Sequence, residues 1–284
     1  MNELYGFDAY SPREIARRVE EIGVAKARMP FLPLVMLGVL AGGFIGLGAL
    51  YYTLVASDAT LGFAASRLLG GLAFSLGLVL VVVAGAELFT GNNLIAMAWA
   101  EGKITSAEVL RNWIIVCAAN FVGATGLALL VVLSGHLGTN DGAVAAQAVK
   151  IAAAKAALPP VEAFFRAVLC NILVCMAVWM AFAGRSVTDK AIAIVFPISA
   201  FVAAGFEHSI ANMYFFPVAM LQLWHTPSAV PGAELVDTAH MLSNFAVVIA
   251  GNIVGGSVLI ALVYHLIYRR GGTAAQGKSG PPHG

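Results

Sequence analysis

Charged residues are distributed so unevenly along this chain that they divide it into segments by themselves. The stretches Pro30–Ser57, Asn112–Asn140, Ala167–Gly184 and Thr238–Tyr268 contain none, while Leu68–Ala100 and Ala191–Ala233 contain one each, Glu87 and Glu207. At 1.5 Å of rise per residue, about 20 apolar residues cross a ~30 Å hydrocarbon core, and every stretch can supply them. The pattern therefore predicts six membrane-spanning helices, numbered here in chain order.

The flanks read differently. Ser11-Pro12-Arg13-Glu14 has a Ser cap, a Pro at the first helical position and an acid in the first turn, which start a helix. Ile15, Val19 and Ile22 then recur at helical spacing, so residues 1–29 are expected to hold an amphipathic helix in the cytoplasmic interface. This segment lacks the apolar run of a signal peptide. A weaker amphipathic stretch from Gly142 to Leu158 suggests an external surface helix. Residues 30–270 hold the six predicted spans as one membrane domain, and the Gly-, Ser- and Pro-rich residues 271–284 read as a disordered cytoplasmic tail.

Orientation follows from lysine and arginine. With six crossings, one side receives both termini and the second-to-third and fourth-to-fifth loops. That side holds twelve of the 16 Lys and Arg residues, leaving only Arg67, Lys150, Lys155 and Arg166 opposite. Both termini are thus expected in the cytoplasm. Composition agrees with this class: 60% of the 284 residues are hydrophobic and 11% are charged, against about 25% charged in soluble domains. A net charge of +1 offers no field for nucleic acid. The three cysteines fall inside spans, and Cys170 and Cys175 point apart on a helix, so they read as small hydrophobes and not as a metal site.

The second span is too long for one straight helix, and its middle, Gly85-Ala86-Glu87-Leu88-Phe89-Thr90-Gly91-Asn92-Asn93, is poor helix interior. The fifth span repeats the oddity at Gly205-Phe206-Glu207-His208-Ser209-Ile210-Ala211-Asn212-Met213. The nonamers share Gly, Glu and Asn at their first, third and eighth positions. Asn120-Phe121-Val122-Gly123 in the third span is echoed by Asn252-Ile253-Val254-Gly255 in the sixth. Two echoes in order imply a duplicated three-helix unit, and three crossings per unit invert one copy relative to the other. Paired breaks in inverted repeats mark a site near the bilayer midplane, where non-helical backbone survives only if it lines a cavity or is buried in protein.

Few polar residues lie at that depth. His208 is one of six histidines and the one at the middle of a span. It serves either as a hydrogen-bonded structural group or as a proton carrier, with Thr90 and Ser209 as nearby donors. Glu87 and Glu207 either face an aqueous vestibule or cap half-helix N–H groups. Asn120, Asn171 and Asn252 have amides to satisfy, by bridging loops to helices or by touching a substrate. Taken alone, Phe74, Leu78, Leu88, Val174 and Phe201 read as plain membrane core.

Ala86-Glu87-Leu88-Phe89-Thr90-Gly91, the nonamer from Gly205 to Met213, and Gly251-Asn252-Ile253-Val254-Gly255-Gly256 together resemble the formate/nitrite transporter family, from about Ser11 to Arg270. Val174 to Met180 followed by Gly184-Arg185-Ser186 is similar to the bacterial formate channel branch, from which Gly91-Asn92-Asn93 departs. The resemblance implies an aquaporin-like, all-α fold of two inverted repeats with spans two and five broken. It also implies a homopentamer in the bacterial inner membrane with one pathway per protomer, no enzyme activity, and no cofactor or metal. Phe74 and Phe201 would form an outer constriction, and Leu78, Leu88, Phe89 and Val174 would contribute to the narrow pathway. His208 would be its central histidine, with Thr90 and Asn171 beside it. Lys155, Glu207, Lys26, Asn212 and Asn252 would form a polar network around the loops.

The implied substrate is formate, carried in either direction and with pH dependence, the anion being protonated in transit near His208. Nitrite, hydrosulfide, acetate and lactate are the other small monovalent anions of that class. A water or glycerol channel is the rival of another class, although the breaks lack an Asn-Pro-Ala repeat. An intramembrane enzyme using Glu207 and His208 is disfavoured, because adjacent residues do not meet on one helix face.

Overall fold

A computed structural model describes residues 8–270, which leaves the tail expected over 271–284 outside the described residues. The described chain is helical, with an isolated backbone bridge between Ala9 and Gly184. It is built as two successive units. The first comprises α1 (Pro12–Ala27), α2 (Phe31–Ala56), α3 (Phe63–Val79, extended by a wider turn to Gly85), a short helical stretch from Gly91 that ends in α4 (Ala96–Ala100), and α5 (Ser106–Leu133). The second comprises α6 (Ala143–Ala156), α7 (Pro160–Ala183), α8 (Val187–Ala204), α9 (Ser209–His225) and α10 (Thr238–Ile253, continued to Tyr268).

Six helices are long and apolar enough to cross a membrane, one in each predicted span, and those of the second and fifth, Phe63–Gly85 and Val187–Ala204, stop at the breaks. The last, Thr238–Tyr268, is the charge-free run itself. Others begin earlier than the charge pattern suggests, because a capping device sets the start. In α5, Thr105 accepts from the Glu108 N–H while Glu108 accepts from the Thr105 N–H. The half-helix after the second break, α9, ends sooner than the apolar run does, since Pro227 forces Thr226 into extended backbone after His225.

The duplication is deeper than three helices. α1 and α6 occupy equivalent places ahead of α2 and α7, and each ends one residue after a lysine, Lys26 and Lys155. The apolar face expected of α1, Ile15, Ala16 and Val19, is buried on Leu94, Met97 and Trp179. A Cβ on Gly23 would approach the Ala98 methyl to 3.2 Å, which shows how closely α1 meets the first half-helix.

α3 and α8 pack against each other at the centre, and both stop at a left-handed glycine, Gly85 (φ 83°) and Gly205 (φ 73°). The N–H of Ala86 reaches back to the Val81 carbonyl at 2.9 Å, and that of Phe206 reaches the Phe201 carbonyl at 3.0 Å. This 6→1 bond satisfies an end-of-helix carbonyl and needs a residue that tolerates positive φ.

A Cβ at Gly85 would meet nothing within 4 Å, so substitution there tests conformation alone. Gly85→Ala is expected to lower stability by about 1–2 kcal/mol, the cost of a left-handed L-residue. Gly126, equally uncrowded but in ordinary helical backbone, should tolerate alanine with no loss. Thermal unfolding in detergent compares the two.

Candidate functional site

Each break strips several backbone groups of helical partners at a depth where water is scarce, so side chains must replace them. One asparagine per unit does most of this. Asn120 on α5 accepts from the Phe89 N–H at 2.9 Å and donates to the carbonyls of Gly38 (2.7 Å) and Glu87 (2.9 Å). Asn252 on α10 accepts from the Ser209 N–H at 3.0 Å and donates to the carbonyls of Ala167 (2.8 Å) and Glu207 (3.0 Å). The two patterns are the same bond for bond. Both amides are fully buried, and each ties its break to its own unit's first span.

The acids are paired as well. Lys26 binds Glu87 at 2.6 Å and Asn92 at 3.0 Å; Asn92 donates to Glu87 (2.7 Å) and Asn112 (3.0 Å), and Asn112 donates to the Lys26 carbonyl (3.0 Å). Lys155 binds Glu207 at 2.8 Å; Asn212 donates to Glu207 (2.7 Å) and Asn244 (2.8 Å), and Asn244 donates to the Lys155 carbonyl (3.3 Å). The single network expected from the sequence is therefore two. Lys26 belongs with Glu87 and not with Glu207, because α1 packs beside the first break and α6 packs on α9 beside the second. Asn112 and Asn244 were missed, although their spacing matches that of Asn120 and Asn252, eight residues further on in each unit.

The units differ where they meet. His208 stands where the first unit has Leu88. Its Nδ1 accepts from the Ala211 N–H at 3.1 Å and so caps α9, while its Nε2 lies 2.9 Å from the Thr90 hydroxyl of the other break. A ring nitrogen that accepts carries no proton, so this geometry holds a neutral imidazole with its proton on Nε2, donated to Thr90. Asn171 buttresses the junction by donating to the carbonyls of Thr90 (3.2 Å) and Asn252 (2.7 Å) and to Asn93 Oδ1 (2.7 Å).

Two cavities approach this centre. One, of about 250 Å³, is lined by Phe74, Phe201, His208, Lys155 and Glu207; the other, of about 330 Å³, is lined by Leu78, Leu88, Lys26, Glu87 and Asn92. The Phe74 and Phe201 rings meet edge to face with centroids 5.6 Å apart, and Phe201 stacks on His208 at 5.8 Å. Thr90, Asn171 and Val174 border neither cavity and are buried. Phe89 borders neither cavity, its ring lying edge-on to Trp113 with centroids 6.4 Å apart, so the structure does not bring it to the pathway. Asn252 acts on the backbone of a break rather than on a charge network.

A sequence profile described as formate/nitrite transporter matches residues 13–266. The chain is 39% identical over 274 residues to the formate channel FocA of Escherichia coli strain K12, a match covering 93% of this chain and 96% of that one. Among solved structures it is similar to a pentameric formate channel with formate bound, with a TM-score of 0.77 and 37% identity over 83% of this chain and 96% of the other. It is also similar to an ion channel of the same family, with a TM-score of 0.79 and 28% identity over 89% and 98% of the two chains.

The paired networks make a stability prediction. Lys26→Met strands the buried Glu87 charge and should cost about 3 kcal/mol or more. Adding Glu87→Gln removes that charge while keeping an acceptor for Asn92, so the double variant should recover most of the loss in a thermal unfolding cycle.

Proposed function

This chain belongs to the formate/nitrite transporter family, and from that premise we propose that it is a bidirectional, pH-dependent formate channel. In this reading it assembles as a homopentamer in the bacterial inner membrane with both termini cytoplasmic. The Lys155 cavity is then the outer vestibule and the Lys26 cavity the inner one. Nitrite, hydrosulfide, acetate and lactate are the competing small anions. The relatives with formate in their names support the substrate, and the placement of twelve Lys and Arg residues on one side supports the orientation.

The carrying observation is the position of His208: it lines the vestibule beside the Phe74–Phe201 pair and reaches across to Thr90. A bare carboxylate gives up its hydration between those rings, and among the described residues the cation lining the cavity beyond them is Lys26. The neutral acid makes the same passage at far lower cost. An anion drawn in by Lys155 meets the Nε2–H of His208. If Nδ1 leaves the Ala211 N–H and takes a proton from vestibule water, the resulting imidazolium transfers its Nε2 proton to the carboxylate. Formic acid moves on past Leu78 and Leu88, leaving a neutral ring protonated on Nδ1; water then takes the Nδ1 proton and gives one to Nε2, and the ring returns to its capping tautomer.

Flux by this route rises as pH falls, because each turnover draws one proton from the vestibule. His208→Phe removes the titratable group that delivers it. Formate uptake into proteoliposomes should then lose its pH dependence, varying by no more than about twofold between pH 5 and 8. Unchanged pH dependence in the variant would refute the proton step. An anion panel in the same vesicles should rank formate above nitrite and hydrosulfide.

A further inference from the structure

The four basic residues that the charge pattern leaves on the side away from the termini are scattered over a hundred positions of sequence, yet all four line one cavity. Arg67 comes from α3, Lys150 and Lys155 from α6, and Arg166 from α7. One carboxylate shares the lining, Glu207, and it is already held by Lys155 at 2.8 Å and Asn212 at 2.7 Å. Arg166 makes an exposed pair with Glu162 on its own helix at 3.1 Å. Among the described residues no carboxylate lies within ion-pair distance of Arg67 or Lys150. The guanidinium of Arg67 lies 5.4 Å from the centroid of the Phe63 ring and 3.6 Å from where a Cβ on Gly205 would stand, beside the second break. The opposite cavity is different in kind: Lys26 and Glu87 are its charged lining residues, one of each sign.

A concave mouth lined by one sign of charge, with apolar walls below, concentrates counter-ions. It does not treat them alike. Attraction to fixed charge grows in proportion to an anion's charge, whereas the cost of stripping its water grows with the square of that charge. A monovalent weak acid is attracted, protonated and passed on. A dianion is attracted twice as strongly and cannot cross the aromatic pair. Arginine forks suit such ligands, since they present parallel N–H groups to tetrahedral or planar oxyanions.

We propose that this vestibule is a binding site for small divalent oxyanions of the sulfate or hydrogen-phosphate kind, held by Arg67, Lys150 and Arg166, where they block the pathway without traversing it. The proposal rests on the pathway reading above only for its blocking consequence; the binding site stands on the charge arrangement itself. It makes the vestibule a selectivity device that acts through occupancy, and a face-specific one, because the Lys26 side lacks the charge excess.

The test uses the purified full-length chain. Sulfate is titrated calorimetrically at fixed ionic strength, with gluconate as the monovalent control, against wild type, Arg67→Gln, Lys150→Gln, Arg166→Gln and the triple variant. The triple variant should bind sulfate at least about tenfold more weakly, and raised ionic strength should weaken the wild type. Because Lys150 is exposed, Lys150→Gln decides the matter if the triple variant fails to fold, and a severalfold loss is expected there. In planar bilayers or oriented vesicles, sulfate should raise the apparent KM for formate from one face alone. Sulfate binding equal in wild type and variants, an adventitious ion only, or equal block from both faces would overturn the proposal. If sulfate binds as expected but formate is not carried, the function assigned above fails and the site survives. If formate is carried and sulfate neither binds nor blocks, the reverse holds.

Discussion

Everything at the centre of this protein depends on making two helix breaks tolerable inside a membrane. Broken backbone leaves N–H and C=O groups that water would ordinarily satisfy, and each unsatisfied group costs several kcal/mol in hydrocarbon. Asn120 and Asn252 answer this with three hydrogen bonds apiece, so that one side chain fixes a break to the helix running beside it. Once the loops are held, their other groups become available for chemistry. Glu87 and Glu207 fix the lysines of α1 and α6, and the N–H of Ala211 orients the His208 ring.

Duplication explains the frame, and the departures from it explain the function. The staples and the Lys–Glu–Asn–Asn networks are repeated nearly atom for atom. The lumen is not repeated. His208 replaces the residue type found at Leu88, Phe201 stands where the first unit has Val81, and Arg67, Lys150 and Arg166 join Lys155 on one side only. An inverted pair with identical halves would present the same surface to an ion from either face. This chain presents a cationic, aromatic mouth on one side and a neutral, aliphatic one on the other.

How much of this was legible in the sequence depends on whether a feature has a local cause. Helix breaks do: Gly, Glu, Thr and Asn cannot crowd the middle of a span without consequence, so both breaks and the repeat were visible in two nonamers. The six spans were visible for the same reason, since a charge-free run of that length is costly to expose to water and favourable to place in lipid. Partners across the fold were not visible. Nothing near Lys26 indicates that it meets Glu87, 61 residues away, rather than Glu207, and the equivalence of α1 and α6 emerges only when both lysines are seen in place. Aromatic residues were the least legible. Phe74, Phe89 and Phe201 look alike in sequence, yet two of them meet at the mouth and the third packs on Trp113. The four outlying basic residues were useful for orientation, but their convergence on one cavity is a property of the fold alone.

The central claim is that formate passes the apolar centre as the neutral acid, protonated at His208. The most direct measurement follows formate uptake and lumenal pH together in proteoliposomes held at an imposed membrane potential, on the acid side of neutrality. This account predicts one proton delivered to the lumen per formate, with a rate that ignores the potential. Uptake driven by an inside-positive potential, without lumenal acidification, would contradict it.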